Sequence, residues 1–370
     1  MSATIQTGKI GKLGFGFMRL PRIDGEFDYV QINKMVDVFL ESGGTYFDTA
    51  YVYDGAEVAL REALVKRYPR ESYQIATKLP VGMVNAQRPM EHFPKTSLER
   101  LGTDYIDFYL LHGINSNANK QAEELGLWEY LKDLKSQGVI RHIGFSFHGH
   151  PNDLEEILTK HPEVELTMLQ INYNDWNRPK VQAKRLYEIA REFNKPIVVM
   201  EPLLGGKLAS SDSPIVETLR NVDPDASIAS WALRYVAQLE GVFTTLSGMS
   251  NFEQAEDNIK TFTELKPLSK DEMNAIKEAV KILRGVPRIE CTSCNYCKEC
   301  PSNINIPSLI NLYNDHLIHK TLTNLQGSYN WLTGGRGKAK DCTACKACEE
   351  ACPQNLEIAD IMSKVSVLFD

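Results

Sequence analysis

Two cysteine runs near the C-terminus are the residues best spaced for chemistry. The first is Cys291, Cys294, Cys297 and Cys300, closed by Pro301; the second is Cys342, Cys345, Cys348 and Cys352, closed by Pro353. All eight cysteines of the 370-residue chain lie in these runs. Two-residue spacers let one tight loop turn three thiolates toward a common centre. Such a loop suits a cubane iron–sulfur centre, which takes four thiolates at the corners of a tetrahedron. Paired Cys-x2-Cys also suits tetrahedral zinc. Four cysteines in each of two short runs, each closed by a Cys-Pro that turns the chain away without offering an N–H, favour two [4Fe–4S] clusters over zinc. A disulfide framework would instead spread over the domain it staples and accompany export. Met1–Ile5 shows no charged head before an apolar stretch, so a reducing, cytoplasmic setting is expected.

In two-cluster ferredoxins the fourth ligand of each run reaches across to the other cluster. On that pattern Cys291, Cys294, Cys297 and Cys352 hold one cluster, and Cys342, Cys345, Cys348 and Cys300 hold the other. The first run departs from the commonest spacing, with two residues rather than three before its fourth cysteine. A long insert, 301–341, separates the runs. In and after it Ile306, Leu309, Ile310, Tyr313 and Leu317, then Ile358, Ile361, Met362 and Val365, recur at helical spacing. The tail resembles the α-helical type of two-cluster ferredoxin domain. It is expected to occupy 286–370, after a helical pattern stops near Gly285-Val286-Pro287-Arg288.

Something must position a substrate, and the body, residues 1–285, is long enough for one large core. A composition of 43% hydrophobic and 24% charged residues excludes a disordered chain. The net charge of −7, with no basic block, gives no footprint for nucleic acid. No apolar run approaches the roughly 20 residues that span a bilayer. Eight β-rich runs alternate with helical patterns: Gly14–Leu20, Thr45–Thr49, Tyr73–Lys78, Ile106–His112, His142–Phe147, Met168–Tyr173, Pro196–Glu201 and Thr244–Gly248. Eight strand–helix units in roughly 250 residues read as an α/β chain with a (β/α)8 TIM barrel. A doubly wound sheet is disfavoured, because Gly11, Gly14 and Gly16 do not match Gly-x-Gly-x-x-Gly and precede no helix. Barrel chemistry sits at the C-terminal strand ends. Asp48, Lys78, His112, Ser146, Gln170 and Glu201 stand there and are expected to converge on one mouth.

Phe47-Asp48-Thr49-Ala50-Tyr51-Val52-Tyr53 resembles the aldo/keto reductase signature, in which a tyrosine follows the aspartate by five. Ser97–His112 matches a second family signature nearly throughout, and Gly138–Ser146 resembles the family's fifth-strand entry. Over residues from about 5 to 285 the chain is similar to this family. With its tail, it resembles the aldo/keto reductases that carry a C-terminal ferredoxin-type domain. The resemblance implies a catalytic tetrad of Asp48, Tyr53, Lys78 and His112. Tyr53 would be the proton donor, Lys78 and Asp48 its tuners, and His112 the group that orients a carbonyl substrate. Tyr51 lacks the family offset and reads as packing.

The same resemblance implies a nicotinamide dinucleotide, NAD(H) or NADP(H). Ser146 and Gln170 match positions that contact the nicotinamide carboxamide, but Phe147 replaces the asparagine that usually follows the serine. Met200 stands where many members place an aromatic ring. Gly205 and Gly206 suit close approach by a pyrophosphate, and Lys207 adds charge. Ser247 and Gly248 begin the usual phosphate segment, and Asn258 keeps the adenine-side asparagine. Gly248 and Gln254 occupy positions that are normally basic and bind the 2′-phosphate, which favours NADH over NADPH.

The expected function is therefore an iron–sulfur oxidoreductase that reduces a small carbonyl substrate by hydride transfer. Its clusters either relay electrons, with an external electron-transfer protein as partner, or serve as structural staples. Hydride carriers pass two electrons and each cluster one; a flavin is the usual converter, and although no motif supports one, a barrel mouth can accommodate a flavin without a linear signature. The alternative is a non-catalytic or weakly catalytic nucleotide-sensing or electron-transfer interaction module.

Overall fold

The computed structural model describes residues 11–211, 213–285, 288–319 and 325–370. The Met1–Ile5 segment and two residues of the expected domain junction, Val286 and Pro287, lie outside them. The chain divides into two compact units. One runs to Leu203 and resumes over Asp223–Met273; the other combines Leu204–Val222 with Asn274–Asp370.

The first unit is a closed parallel barrel. Its strands are β1 (Leu13–Gly16), β4 (Tyr46–Asp48), β5 (Gln74–Pro80), β6 (Ile106–Ile114), β7 (Ile140–Phe147), β8 (Leu166–Gln170), β9 (Ile197–Met200) and β10 (Val242–Ser247). They follow one another around the ring, and β1 closes it by pairing both β4 and β10. Between β1 and β4 a two-stranded hairpin intervenes, β2 (Arg22–Ile23) with β3 (Glu26–Phe27), which the sequence pattern had not announced.

Side chains alternate across a strand, and the even-numbered barrel residues face inward except where the register shifts, at Val242 of β10 and Ile114 of β6. Tyr46, Ala76, Phe108, Leu110, Leu166, Met168, Val198 and Leu246 form the interior core. One step further along the strands the same parity delivers Asp48, Lys78, His112, Ser146 and Gln170, all buried. The lower layer is an apolar plug, and the polar groups stand on it at the C-terminal end.

Five expected strands end sooner than their sequence pattern, those reaching Leu20, Thr49, Tyr173, Glu201 and Gly248. The Gly14–Leu20 run leaves the sheet at Phe17 and winds into a 3-10 turn through Arg19. The expectation that β9 ends in Glu201 is corrected. The strand stops at Met200, and Glu201 takes a left-handed φ of 52° that removes it from the alternation.

The second unit has a small core of its own. Helices Ile306–His319 and Ile358–Phe369 contribute Leu309, Ile310, Ile361, Met362 and Val365 to it. Tyr329 lies buried among them, stacked on Phe369 with centroids 5.0 Å apart. Its hydroxyl donates to Asp370 and accepts from the Ala339 amide. Among the described residues no helix is long and apolar enough to cross a membrane.

Candidate active site and cluster-binding loops

Lys78 is the least expected residue of the barrel interior, an ammonium with 1% of its surface exposed. Its Nζ donates to Asp48 Oδ1 at 2.7 Å and to the Thr49 carbonyl at 2.6 Å. Burial raises the Asp48 carboxyl and lowers the Lys78 ammonium, and the contact between them opposes both shifts. Asp48 therefore caps no helix, and Lys78 is no solvated strand end. Asp48 Oδ2 is also buried and has no donor among the described residues.

Tyr53 is carried by the turn after β4, where its N–H donates to Ala50 O and its carbonyl accepts from Ala56 N. Arg100 fastens that turn: it donates to the Tyr51 carbonyl and to buried Glu57, and its guanidinium covers the Tyr51 ring. Tyr51 bonds His92 and packs on Phe93, outside the interior series. Tyr53 instead lies with its ring centroid 5.1 Å from Lys78 Nζ. The His112 ring stands edge-on to it at 6.0 Å. The four residues that the family resemblance implies as a tetrad are thus brought to one place.

A bulge aims His112. Between Leu111 and Ile114 the β6–β7 register shifts by one residue, and Gly113 absorbs the extra turn at φ 74°. The Gly113 N–H donates to Ser146 Oγ at 2.9 Å, which leaves that hydroxyl its own proton to donate. Burial first, then the charges of Lys78 and His148, hold His112 well below the ordinary histidine range. It is a neutral imidazole at pH 7.

Gln170 donates through Nε2 to Asp175, a fully buried carboxylate that also accepts from Asn172. This Gln170–Asn172–Asp175 network fixes the amide, and sequence reading missed its last two members. The signal available was three polar residues at β8's end that then prove wholly buried. Arg19 was missed as well. Its side chain lies against Gly248, 3.5 Å from where a Cβ would stand, and it pairs with Glu201 at 3.5 Å. Of the remaining candidates, Met200 lies opposite Gln170 in register. Asn258 donates to Ser247 Oγ at 2.8 Å, and Gln254 Oε1 accepts from Ser250 N at 2.8 Å. Gly205, Gly206 and Lys207 belong to the second unit. A Cβ on Gly205 would stand 2.6 Å from the Thr292 carbonyl, so the close approach made there is to the protein's own backbone.

In the second unit the two cysteine runs fold alike. Ser293 and Asn295 take left-handed φ values of 54° and 64° around Cys294, and Ala344 and Lys346 take 52° and 63° around Cys345. Each non-glycine residue held there costs on the order of 1–2 kcal/mol, a strain that turns three thiols inward. After each Cys-Pro the match continues: Asn303 and Asn355 are again left-handed, with N–H bonds to Cys300 O and Cys352 O. Cys-Pro-x-Asn followed by a helix is thus an internal repeat, visible in the sequence and overlooked there.

The crossed ligand sets come together. One cavity is lined by Cys291, Cys294, Cys297 and Cys352; another has Cys300, Cys342, Cys345 and Cys348 on its wall. Burial, then Cys294, Cys291 and Cys352, pushes Cys297 up to about 12. Burial and Cys342, with Cys300 further off, raise Cys348 to about 11. Crowded thiols of this kind ionise only when a cationic centre is shared among them, which suits a cluster.

Comparison with known proteins agrees with both units. The model of the aldo/keto reductase family matches residues 12–281, nearly three quarters of the chain. The chain belongs to the aldo/keto reductase family. A 4Fe-4S dicluster domain follows, matching residues 290–356. The family member is 28% identical to a probable aldo-keto reductase 1 of Glycine max, over 74% of this chain and 86% of that one. An aldo-keto reductase from Bacillus halodurans in its holo form superposes with a TM-score of 0.59 at 28% identity, covering 72% of this chain and 91% of that one. An aldo-keto reductase from Klebsiella pneumoniae in complex with NADPH shares the fold, with TM-score 0.59 at 19% identity over 78% and 99% of the two chains. The protein is an oxidoreductase of this family with a two-cluster domain attached.

Proposed function

We propose that the barrel reduces a small carbonyl compound to its alcohol, with Tyr53 delivering the proton. One observation carries this reading: the buried Lys78–Asp48 pair beneath the Tyr53 ring, with neutral His112 on its edge. His112 donates a hydrogen bond to the carbonyl oxygen, orienting and polarising it. Charge builds on that oxygen as its carbon is reduced, and the Tyr53 hydroxyl protonates it. The Lys78 cation beside the ring favours departure of the proton from the phenol. Asp48 keeps the cation stable where water is excluded. The nicotinamide dinucleotide, when bound, supplies the hydride, so carbonyl, reduced nucleotide and one proton give alcohol and oxidised nucleotide.

Ser146, Gln170 and Met200 would hold the nicotinamide end, and Ser247, Gly248, Gln254 and Asn258 the adenosine end. The retained Ser146 proton, the fixed Gln170 amide and the unanswered Asp48 Oδ2 are compatible with a polar ligand. Gly248 and Gln254 bring no charge, and Arg19 beside them is already paired with Glu201. NADH is therefore preferred over NADPH. Cys345 is the exposed member of its ligand set, which supports single-electron exchange with an external carrier in the reducing cytoplasm. Fluorescence titration with both nucleotides, followed by anaerobic turnover of an aldehyde panel, tests the reading. Tighter NADH binding and aldehyde reduction support it; a clear NADPH preference removes the cofactor assignment, and absence of turnover removes the activity.

A further inference from the structure

Gln170 follows Leu166 and Met168 in the inward series of β8 and stands in register with Met200 on β9. It bonds Asp175, a carboxylate with none of its surface exposed that the tetrad chemistry does not use. Asp175 Oδ2 accepts from Gln170 Nε2 at 2.8 Å and from Asn172 Nδ2 at 2.9 Å. Its Oδ1 accepts from Asn174 Nδ2 at 3.3 Å and faces the Arg178 guanidinium at 3.4 Å. The bonding itself assigns the two amides. The Asp175 N–H can only donate, and it donates to Asn172 Oδ1 at 2.9 Å, which leaves the Asn172 nitrogen for the carboxylate. A carboxylate only accepts, so Gln170 must turn Nε2 toward Asp175 and Oε1 away from it. Asn172 also donates to the Glu201 carbonyl at 3.1 Å, tying the end of β8 to the left-handed residue after β9. Ser146, on the paired strand β7, is set the opposite way: its Oγ accepts from the Gly113 N–H and keeps a proton to donate. A carboxamide bears one acceptor and one donor, and these two side chains offer it one of each.

We infer that Asp175 is a positioning residue, which holds the Gln170 amide so that the mouth presents an acceptor to the NH2 of the nicotinamide carboxamide. The inference rests on the nicotinamide-binding reading above and deepens it by naming the residue that sets the polarity of that contact. An acid that merely closed the loop after β8 would be indifferent to the group carried by the pyridine ring. Asp175 instead decides which edge of Gln170 is offered. An amide at position 175 has a single oxygen, and the Arg178 cation competes for it by a charge-assisted bond. An NH2 then faces Gln170, which turns over and offers a donor where an acceptor stood. A buried polar group left unanswered by the wrong ligand is the basis of discrimination here.

NAD⁺ and its 3-acetylpyridine analogue differ only at that NH2, which the analogue replaces with a methyl group. In calorimetric titration of the cluster-loaded protein, wild type is expected to bind NAD⁺ about tenfold more tightly than the analogue, the scale of one hydrogen bond. Asp175→Asn should erase that preference by weakening NAD⁺ and leaving the analogue unchanged. The exchange variant Gln170→Glu with Asp175→Asn should recover it. There the amide at position 175 donates to the carboxylate at position 170, whose second oxygen again offers an acceptor. A purely structural acid would leave the ratio of the two affinities the same in all three proteins. Wild type without a preference, or a preference that survives in Asp175→Asn, overturns the inference. Should Asp175→Asn fail to fold, the exchange variant decides: the wild-type preference supports the inference, and its loss overturns it. Wild type that binds neither dinucleotide overturns the nicotinamide reading and this inference with it, whereas equal binding of both overturns this inference alone.

Discussion

The Lys78 ammonium rests 2.7 Å from Asp48 Oδ1, and both side chains are almost wholly out of water. A cation so placed is stable only while its partner remains. Asp48→Asn leaves the charge uncompensated and should cost about 3–5 kcal/mol of folding stability. The double variant Asp48→Asn with Lys78→Met removes both charges and should recover much of that loss without recovering activity. Urea denaturation of wild type and both variants checks it. Equal destabilisation of single and double variants would show that the pair is not coupled.

Tyr53→Phe deletes one hydroxyl and keeps the ring that packs on His112. Loss of a positioned general acid should lower kcat by about 10²–10⁴-fold. Nucleotide binding should stay within about twofold, since a lost proton donor acts on the transition state and not on the ground state. Turnover and fluorescence titration on the same preparation separate the two effects.

Acid should weaken the barrel before it reaches the carboxylates. Burial, then Lys78 and His148, lowers His112, and burial lowers His148 to about 4. In the unfolded chain both bind protons near pH 6.5. The unfolded state therefore holds more protons just below that pH, and stability falls as pH drops through this range. At Glu165 burial is outweighed by bonds from His142, Lys135 and the Ile143 amide, which hold it at about 2. Its contribution is lost only below about pH 4.5. The urea midpoint should be lower at about pH 5.5 than at about pH 7.5, and the drop should shrink in His148→Gln. A drop of the same size in both proteins would exclude His148 as its source.

Cys297 lines both cavities, yet the thiols that act on it are Cys294, Cys291 and Cys352, so on the proposed ligand sets it serves one cluster. Cys297→Ala should halve the iron content and leave one cluster's electron paramagnetic resonance signal after reduction. Complete iron loss would mean that the two sets assemble as one. Chelation of all iron should expose the Ile310 and Met362 helices, because the strained Ser293 and Ala344 loops lose the centre that holds them.

Much of this site was legible in the sequence, and for identifiable reasons. Cysteine spacing is local, so both runs could be read directly, whereas the crossed ligand sets came from the two-cluster ferredoxin pattern. Asp48, Lys78 and His112 end β-rich runs, and polar residues there are too many for packing alone. Register is not local. That His112 is aimed by a bulge depends on the β6–β7 ladder and on Gly113. Asp175 looked like an ordinary loop acid until Gln170 and Asn172 closed around it. The hairpin β2–β3 escaped because each strand is two residues long, too short for any period to show.

The central claim is that hydride chemistry at the barrel mouth depends on Tyr53 and its buried partners. Anaerobic single-turnover mixing of NADH-loaded enzyme with an aldehyde from the panel that turns over, following nucleotide and cluster absorbance together, tests it most directly. The expected result is one nucleotide oxidised per alcohol formed, with clusters unchanged, and a rate at least 10²-fold slower in Tyr53→Phe. Undiminished nucleotide oxidation in Tyr53→Phe would contradict it.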